Sequence, residues 1–255
     1  MNYFVSIENS LYYHWQIELL IESFKIHGLE KNLYVYVASG EYKEEIPKDC
    51  RNLINHKNLF KHENFGRKAT ELMALYKYVN ENNGEYPFVF IHPCMLLKNP
   101  IDKYNKEYDI VLNSYYEPNS RIDDFLLSKN INIKFDFSTP IIFNNNKIGK
   151  DFFEELLINA KYIQDQTDLD FPCDELAWKF SMTQNYEKFN MGYNLLSCTL
   201  LHNDVDVPFI DYNHGVPREF NKRFFVYSNP YEVLLNMNVS NSCDYLHKIL
   251  NSYLN

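Results

Sequence analysis

Glycine is scarce, with 7 in 255 residues. Neither G-x-x-x-x-G-K-[ST] nor G-x-G-x-x-G occurs, so a glycine-built phosphate loop of either kind is excluded. The five cysteines (Cys50, Cys94, Cys173, Cys198 and Cys243) include no C-x-x-C pair. That argues against a zinc knuckle or a disulfide scaffold and for reduced thiols in a cytoplasmic setting. No run approaches the roughly 18 apolar residues of a membrane span, and the start, Met1-Asn2-Tyr3-Phe4-Val5, lacks a basic region followed by an apolar core. The chain therefore reads as a soluble protein with no membrane partner. Excess positive charge is missing too. The formal charge is -9, unlike a protein held on nucleic acid by general phosphate contacts, although a local basic strip is compatible with it.

Present in quantity are tyrosine (21) and phenylalanine (19), within an apolar fraction of 45% and a charged fraction of 23%. That is globular composition, and the length suffices for one large domain. Tyr, Phe, Asn and Lys also share AT-rich codons, a compositional hint of an AT-rich microbial or viral genome.

The pattern opens as β-α-β. Tyr3 to Ile7 forms an apolar strand, and Trp15, Leu19, Leu20 and Phe24 recur at helical spacing over Tyr12 to His27. Gly28 follows at the place of a helix stop, and Leu33 to Ala38 is a second strand. A crossover helix between strands predicts parallel pairing. A polar stretch runs to Gly66, then a helix over Lys68 to Val79, strands at Phe88–Ile91, Tyr108–Leu112 and Thr139–Phe143, and helices over Lys150–Ala160 and Asp174–Gln184. The tail from Tyr231 is helical in pieces. Tyr115 to Phe137 reads as irregular, and His14, His27, His56, His62 and His247 as surface residues. The expected fold is α/β, one Rossmann-like domain over residues 1–255 with a mostly parallel central sheet flanked by helices, and residues 217–255 as a helical extension. In such sheets ligands bind beyond the carboxyl ends of strands, which points to Ile7-Glu8, Ala38-Ser39 and His92-Pro93-Cys94.

Four constellations carry chemistry. His92-Pro93-Cys94 ends a buried strand with two metal-ligand types, which in extended geometry share a side; simple packing at a strand end also accounts for them. Asp174 and Glu175 open a helix and can supply a base or a sugar-hydroxyl acceptor; capping explains Asp174 as well, Glu175 less so. Asp211-Tyr212-Asn213-His214-Gly215 can complete a metal or diphosphate site, or be a polar turn. Arg67 and Lys68 at a helix start suit a diphosphate, or form a solvated turn.

Taken in order, these segments resemble GT-A-type nucleotide-sugar glycosyltransferases, in particular the hydroxyproline O-arabinosyltransferase-like families. Tyr12-Tyr13-His14-Trp15-Gln16 is similar to their Y-x-x-W-Q, and Arg67-Lys68-Ala69 falls at their N-K-P. Phe90-Ile91-His92-Pro93-Cys94 falls on the strand into their D-x-D. Asp174-Glu175-Leu176-Ala177-Trp178 resembles E-M-x-A-Y, and Asp211-Tyr212-Asn213-His214-Gly215 resembles H-Y-x-x-G. The match spans about residues 3 to 216. Short proteins of this type also resemble the phage enzymes that add a second glucose to glucosylated hydroxymethylcytosine in DNA, a branch that the length and AT-rich composition fit.

The resemblance implies a GT-A-like domain that moves a sugar from a UDP-sugar, UDP-glucose in the phage branch, to an acceptor hydroxyl. It implies Glu175 or Asp174 at the reacting sugar, and Ile7, Gln16, Arg67, Lys68, His92, Cys94 and His214 around the nucleotide sugar. Both acidic D-x-D positions are replaced here, by His92 and Cys94, which puts a Mn²⁺ or Mg²⁺ site of the usual kind in question. A rebuilt metal site from His92, Asp211 and His214 and a metal-free site neutralised by Arg67 and Lys68 both remain open. So does a silent module that binds nucleotide sugar without turnover. For the acceptor, modified DNA stands against a glycan or a protein, with Arg218, Lys222 and Arg223 as the basic strip DNA would need.

Overall fold

Strand β1 (Asn2–Glu8) is buried on both faces, and its alternation sorts its side chains. Tyr3, Val5 and Ile7 enter one core and Phe4 the other. The structure, a computed structural model, describes residues 1–39, 45–66, 69–80, 84–113, 120–130, 139–167, 173–185, 187–201, 206–212 and 230–255. Helix α1 (Leu11–Ile26) leads to β2 (Leu33–Ser39), which runs parallel to β1 with Val5 opposite Val35. Gly28 ends α1 with φ +67. Its N–H donates to Lys25 O and that of Leu29 to Phe24 O, a Schellman stop that needs a left-handed residue at Gly28.

The intervening segment, read as polar loop, contains helix α2 (Arg51–Ile54) and strand β3 (Leu59–Glu63), which pairs parallel with β2. β3 is an edge strand, and the charged and polar residues that protect an edge erase the apolar signal. Helix α3 (Thr70–Asn80) precedes β4 (Phe88–Phe90), which pairs parallel with β1. After β5 (Met95–Leu97) come β6 (Ile110–Asn113), helix α4 (Ser120–Ser128) within the stretch expected to be irregular, and β7 (Ile141–Phe143). Helix α5 (Lys150–Gln166) outruns its expected end by more than a turn, and α6 (Cys173–Gln184) follows. β8 (Met191–Asn194), β9 (Ser197–Thr199), β10 (Phe209–Asp211) and helices α7 (Tyr231–Leu235) and α8 (Cys243–Leu254) complete the described elements.

The main sheet has the order β3-β2-β1-β4-β7-β6-β8. All its pairings are parallel except those of β7, which runs antiparallel to both β4 and β6. The architecture is thus α/β with a mostly parallel central sheet. α3, α5 and α6 cover one face; α1, α7, α8 and a small sheet of order β5-β10-β9 cover the other. Asn113 at the end of β6 ties the two sheets, donating to Ser197 Oγ (2.8 Å) and accepting from Leu196 N–H (3.1 Å). All five cysteines are buried and none forms a disulfide. Among the described residues no helix is long and apolar enough to cross a membrane.

Helix α1 lies between the main sheet and the small sheet, α2 and α8, so its polar residues are buried rather than solvated. His14, expected at the surface, is fully buried with Nε2 2.9 Å from Asn9 Oδ1, and His62 on β3 is buried too. Glu18, also fully buried, accepts the N–H groups of Asn52 (3.0 Å) and Leu53 (2.6 Å), donors that α2 cannot satisfy within itself. Replacing Glu18→Ala strands both donors and should cost about 2–4 kcal/mol. Glu18→Gln, which keeps one acceptor, should cost less. Denaturant midpoints check this, and an unchanged midpoint in Glu18→Ala would show that the anchor contributes nothing.

Candidate active site

A cleft of about 210 Å³ opens at the carboxyl ends of β1 and β4. Its floor is Ser6, Ile7 and Glu8 of β1, and α1 adds Tyr13 and Gln16. The first turn of α3 brings Thr70 and Glu71, the turn after β4 brings His92, Pro93 and Cys94, and the first turn of α6 brings Asp174. The parallel strands dictate this convergence: β1 and β4 end at the same edge, and α3 and α6 begin there. Of the three strand ends singled out, Ile7-Glu8 and His92-Pro93-Cys94 line the cleft and Ala38-Ser39 does not.

The His92-Pro93-Cys94 segment is a turn rather than extended chain, closed by Met95 N–H on His92 O at 3.1 Å. Tyr212 N–H donates to Cys94 O (3.2 Å), and Asp211 pairs with Met95 across β10 and β5. The Asp211-Tyr212 segment is thereby docked against this turn, and both residues are buried. Arg67, Lys68 and His214 lie outside the described residues, as do Arg218, Lys222 and Arg223.

The structure separates the two carboxylates of α6. Asp174 faces the cleft. Glu175 pairs one turn along with Lys179, Oε1 to Nζ 3.2 Å, and the Lys179 side chain is only 1% exposed. Replacing Glu175 takes a partner from a buried charge, which is destabilising. Glu175 therefore has a structural task, and a loss of activity on replacing it reports catalysis only if the fold survives.

Glu71 is the cleft residue that sequence reading missed, because an acid in a first helical turn already has an explanation in the helix dipole. Glu71 hydrogen-bonds Asp174, which requires a proton on one of the two carboxyls. Its Oε2 lies 3.9 Å from His92 Nε2, too long for a hydrogen bond, and its Oε1 is buried with no hydrogen-bond partner. Burial first, then the charge of Asp174 and that hydrogen bond, then Glu175 and Glu8, push its carboxyl well above the ordinary range. Burial, helped by Glu8, Glu71 and Asp174, likewise raises the Tyr13 phenol. The floor is acidic, and His92 is the one described cleft residue able to carry positive charge.

A divalent cation needs several convergent oxygen or nitrogen ligands. Among the described residues no three His, Cys, Asp or Glu side chains are grouped to hold one; the proposed His92, Asp211, His214 set includes His214, which lies outside the described residues.

No protein-family model matches the chain, and no curated protein matches it by sequence. The two families named from motifs therefore gain no support from sequence comparison. Solved structures do match. The galactosyltransferase LgtC in complex with donor and acceptor sugar analogs superposes with a TM-score of 0.57 at 9% identity, over 99% of this chain and 96% of that one. An active-site mutant of LgtC gives 0.53 at 10% identity, over 97% and 100%. The bifunctional glycosyltransferase WbbM gives 0.51 at 11% identity, over 87% of this chain and 47% of that one. At such identities the likeness establishes the fold, which is of the GT-A glycosyltransferase type.

The raised Glu71 carboxyl makes a signed prediction. Below the unfolded value it is protonated in both states; as pH rises through the folded value, ionising it removes stability. Glu71→Gln should therefore melt near wild type at pH 5 and higher than wild type at pH 8, by roughly 2–4 °C. Parallel wild-type and variant curves across that range would mean that Glu71 ionises like an exposed glutamate.

Proposed function

We propose that the protein is a nucleotide-sugar glycosyltransferase that moves a sugar from a UDP-sugar to an acceptor hydroxyl. The observation that carries this is the joint placement of Asp174, Glu71 and His92 at the carboxyl ends of β1 and β4, on a glycosyltransferase fold. The reading takes residues 1–255 as one domain of this type, with residues 217–255 as an extension, in a cytoplasmic setting consistent with five reduced thiols.

In this reading the nucleotide lies over the tip of β1, with Ile7 beneath it and Gln16 beside it. Negative charge develops on the diphosphate as the glycosidic bond breaks, and it needs a positive partner. His92 stands in the cleft for that role, and Arg67 and Lys68, directly before α3 in sequence, are the cations to add to it. Asp174 accepts a hydroxyl of the transferred sugar or of the acceptor, and is the group to take up the acceptor proton. Cys94, buried at the same turn, shapes the wall.

UDP-glucose and a glucosylated hydroxymethylcytosine acceptor in phage DNA form the particular version of this proposal. Its support is the sequence resemblance, and the charge of -9 counts against it. A protruding sugar in a DNA groove can be reached without flipping a base, so a basic strip would suffice. Neutralising Arg218, Lys222 and Arg223 together should then weaken DNA binding and flatten its salt dependence. Unchanged binding would remove DNA contact through that segment.

The central test is calorimetry with UDP, with and without Mn²⁺, followed by transfer assays pairing UDP-sugars with DNA, oligosaccharide and peptide acceptors. UDP binding and transfer to one acceptor class are expected, and Asp174→Asn, with its fold retained, should lower transfer at least about 100-fold. Absence of UDP binding under both conditions would end the proposal. Binding without any turnover would leave a nucleotide-sugar-binding module.

A further inference from the structure

We infer that the Glu71–Asp174 carboxyl pair forms the sugar end of the cleft and restricts the donor to neutral sugars, excluding sugars that carry a carboxylate. This rests on the nucleotide-sugar reading and names the substrate class within it. Three elements set acids at the cleft: β1 gives Glu8, α3 gives Glu71 and α6 gives Asp174. Beside them Ser6 is 8% exposed, lines the same cleft, and has an Oγ with no hydrogen-bond partner. Glu71 Oε1 has none either. Buried polar atoms left unpaired in a cleft are an unmet demand for ligand hydrogen bonds. The demand is mostly for donors, because carboxyl oxygens accept and the hydroxyl can do both.

A neutral sugar ring meets that demand with hydroxyl groups, each able to donate to a carboxylate and accept from Ser6 or from the proton on the pair. The donor's own diphosphate does not, since it brings only acceptors and negative charge. The sugar end of a bound donor therefore belongs at Glu71 and Asp174 and the diphosphate away from them. A uronic acid would set a fixed negative charge beside the carboxyls of Glu8, Glu71 and Asp174, and the one described cleft residue able to carry positive charge, His92, already faces Glu71 at 3.9 Å. Juxtaposed like charges of this kind are how sites reject wrong partners.

The test is calorimetry at one neutral pH with UDP, UDP-glucose and UDP-glucuronate, on wild type and on the double variant Glu71→Gln/Asp174→Asn, which removes the charge of the pair whichever carboxyl holds the proton, each first shown to be folded by its thermal melt. In wild type, UDP-glucuronate should bind at least about tenfold more weakly than UDP-glucose, a gap of about 1.4 kcal/mol. In the double variant the gap should narrow to within roughly threefold. If the double variant does not fold, the wild-type gap decides alone. Equal binding of the two sugar nucleotides by wild type, or a gap that the double variant leaves unchanged, overturns the inference while nucleotide-sugar binding stands. No binding of UDP or of either sugar nucleotide overturns the proposed function and this inference with it.

Discussion

Two carboxyl groups from separate helices meet in the cleft, and one proton is needed to hold them together. Glu71 hydrogen-bonds Asp174 because α3 and α6 both begin at the carboxyl edge of the sheet, and their first turns are pressed against the ends of β1 and β4. Such a contact is unfavourable by itself, as burial and like charge both oppose ionisation. It persists because the helices are fixed elsewhere. Leu72, Ala74, Leu75 and Tyr78 of α3 and Leu176, Ala177 and Trp178 of α6 are buried in one apolar core with Phe88, Phe90 and Phe143 of the sheet. Apolar packing of many side chains thus holds a few polar ones in a strained arrangement, the usual division of labour between scaffold and site.

The opposite face does the same for the turn after β4. β5 begins directly beyond Cys94, and β10 pairs with it to bring Asp211 and Tyr212 alongside. That small sheet packs over α1, whose buried Glu18 in turn anchors α2. The cleft is therefore bounded by both cores, and its acidic floor is a property of neither face alone. For a cleft read as taking a sugar diphosphate, this charge arrangement separates the ends of the ligand: hydroxyls toward the carboxyls, phosphates toward cations.

Most long elements were legible in the sequence because burial follows their period. β1, β2 and β4 are apolar runs between turns, α1 carries Trp15, Leu19, Leu20 and Phe24 at helical spacing, and Gly28 stops it. Elements held by partners rather than by their own pattern were not legible. β3 is a polar edge strand, α2 is one turn capped by Glu18, and β9 is a short strand defined by pairing with β10. His14 read as a surface residue because helical spacing says which residues share a face, not how many neighbours cover it; α1 is covered on several sides.

The candidate site divides in the same way. The sequence by itself determined the strand ends, Ile7-Glu8 and His92-Pro93-Cys94, and the acids that open α6, since a parallel sheet sets its ligands beyond the carboxyl ends of its strands. It favoured Glu175 and kept Asp174 open; the two are neighbours in the chain but point differently on a helix. Only tertiary packing turned Asp174 to the cleft, set Glu175 against the buried Lys179, and brought in Glu71. The reason is physical: a helical turn fixes the angle between adjacent side chains, while which of them meets the cleft depends on how the helix is rotated against a sheet built from distant parts of the chain.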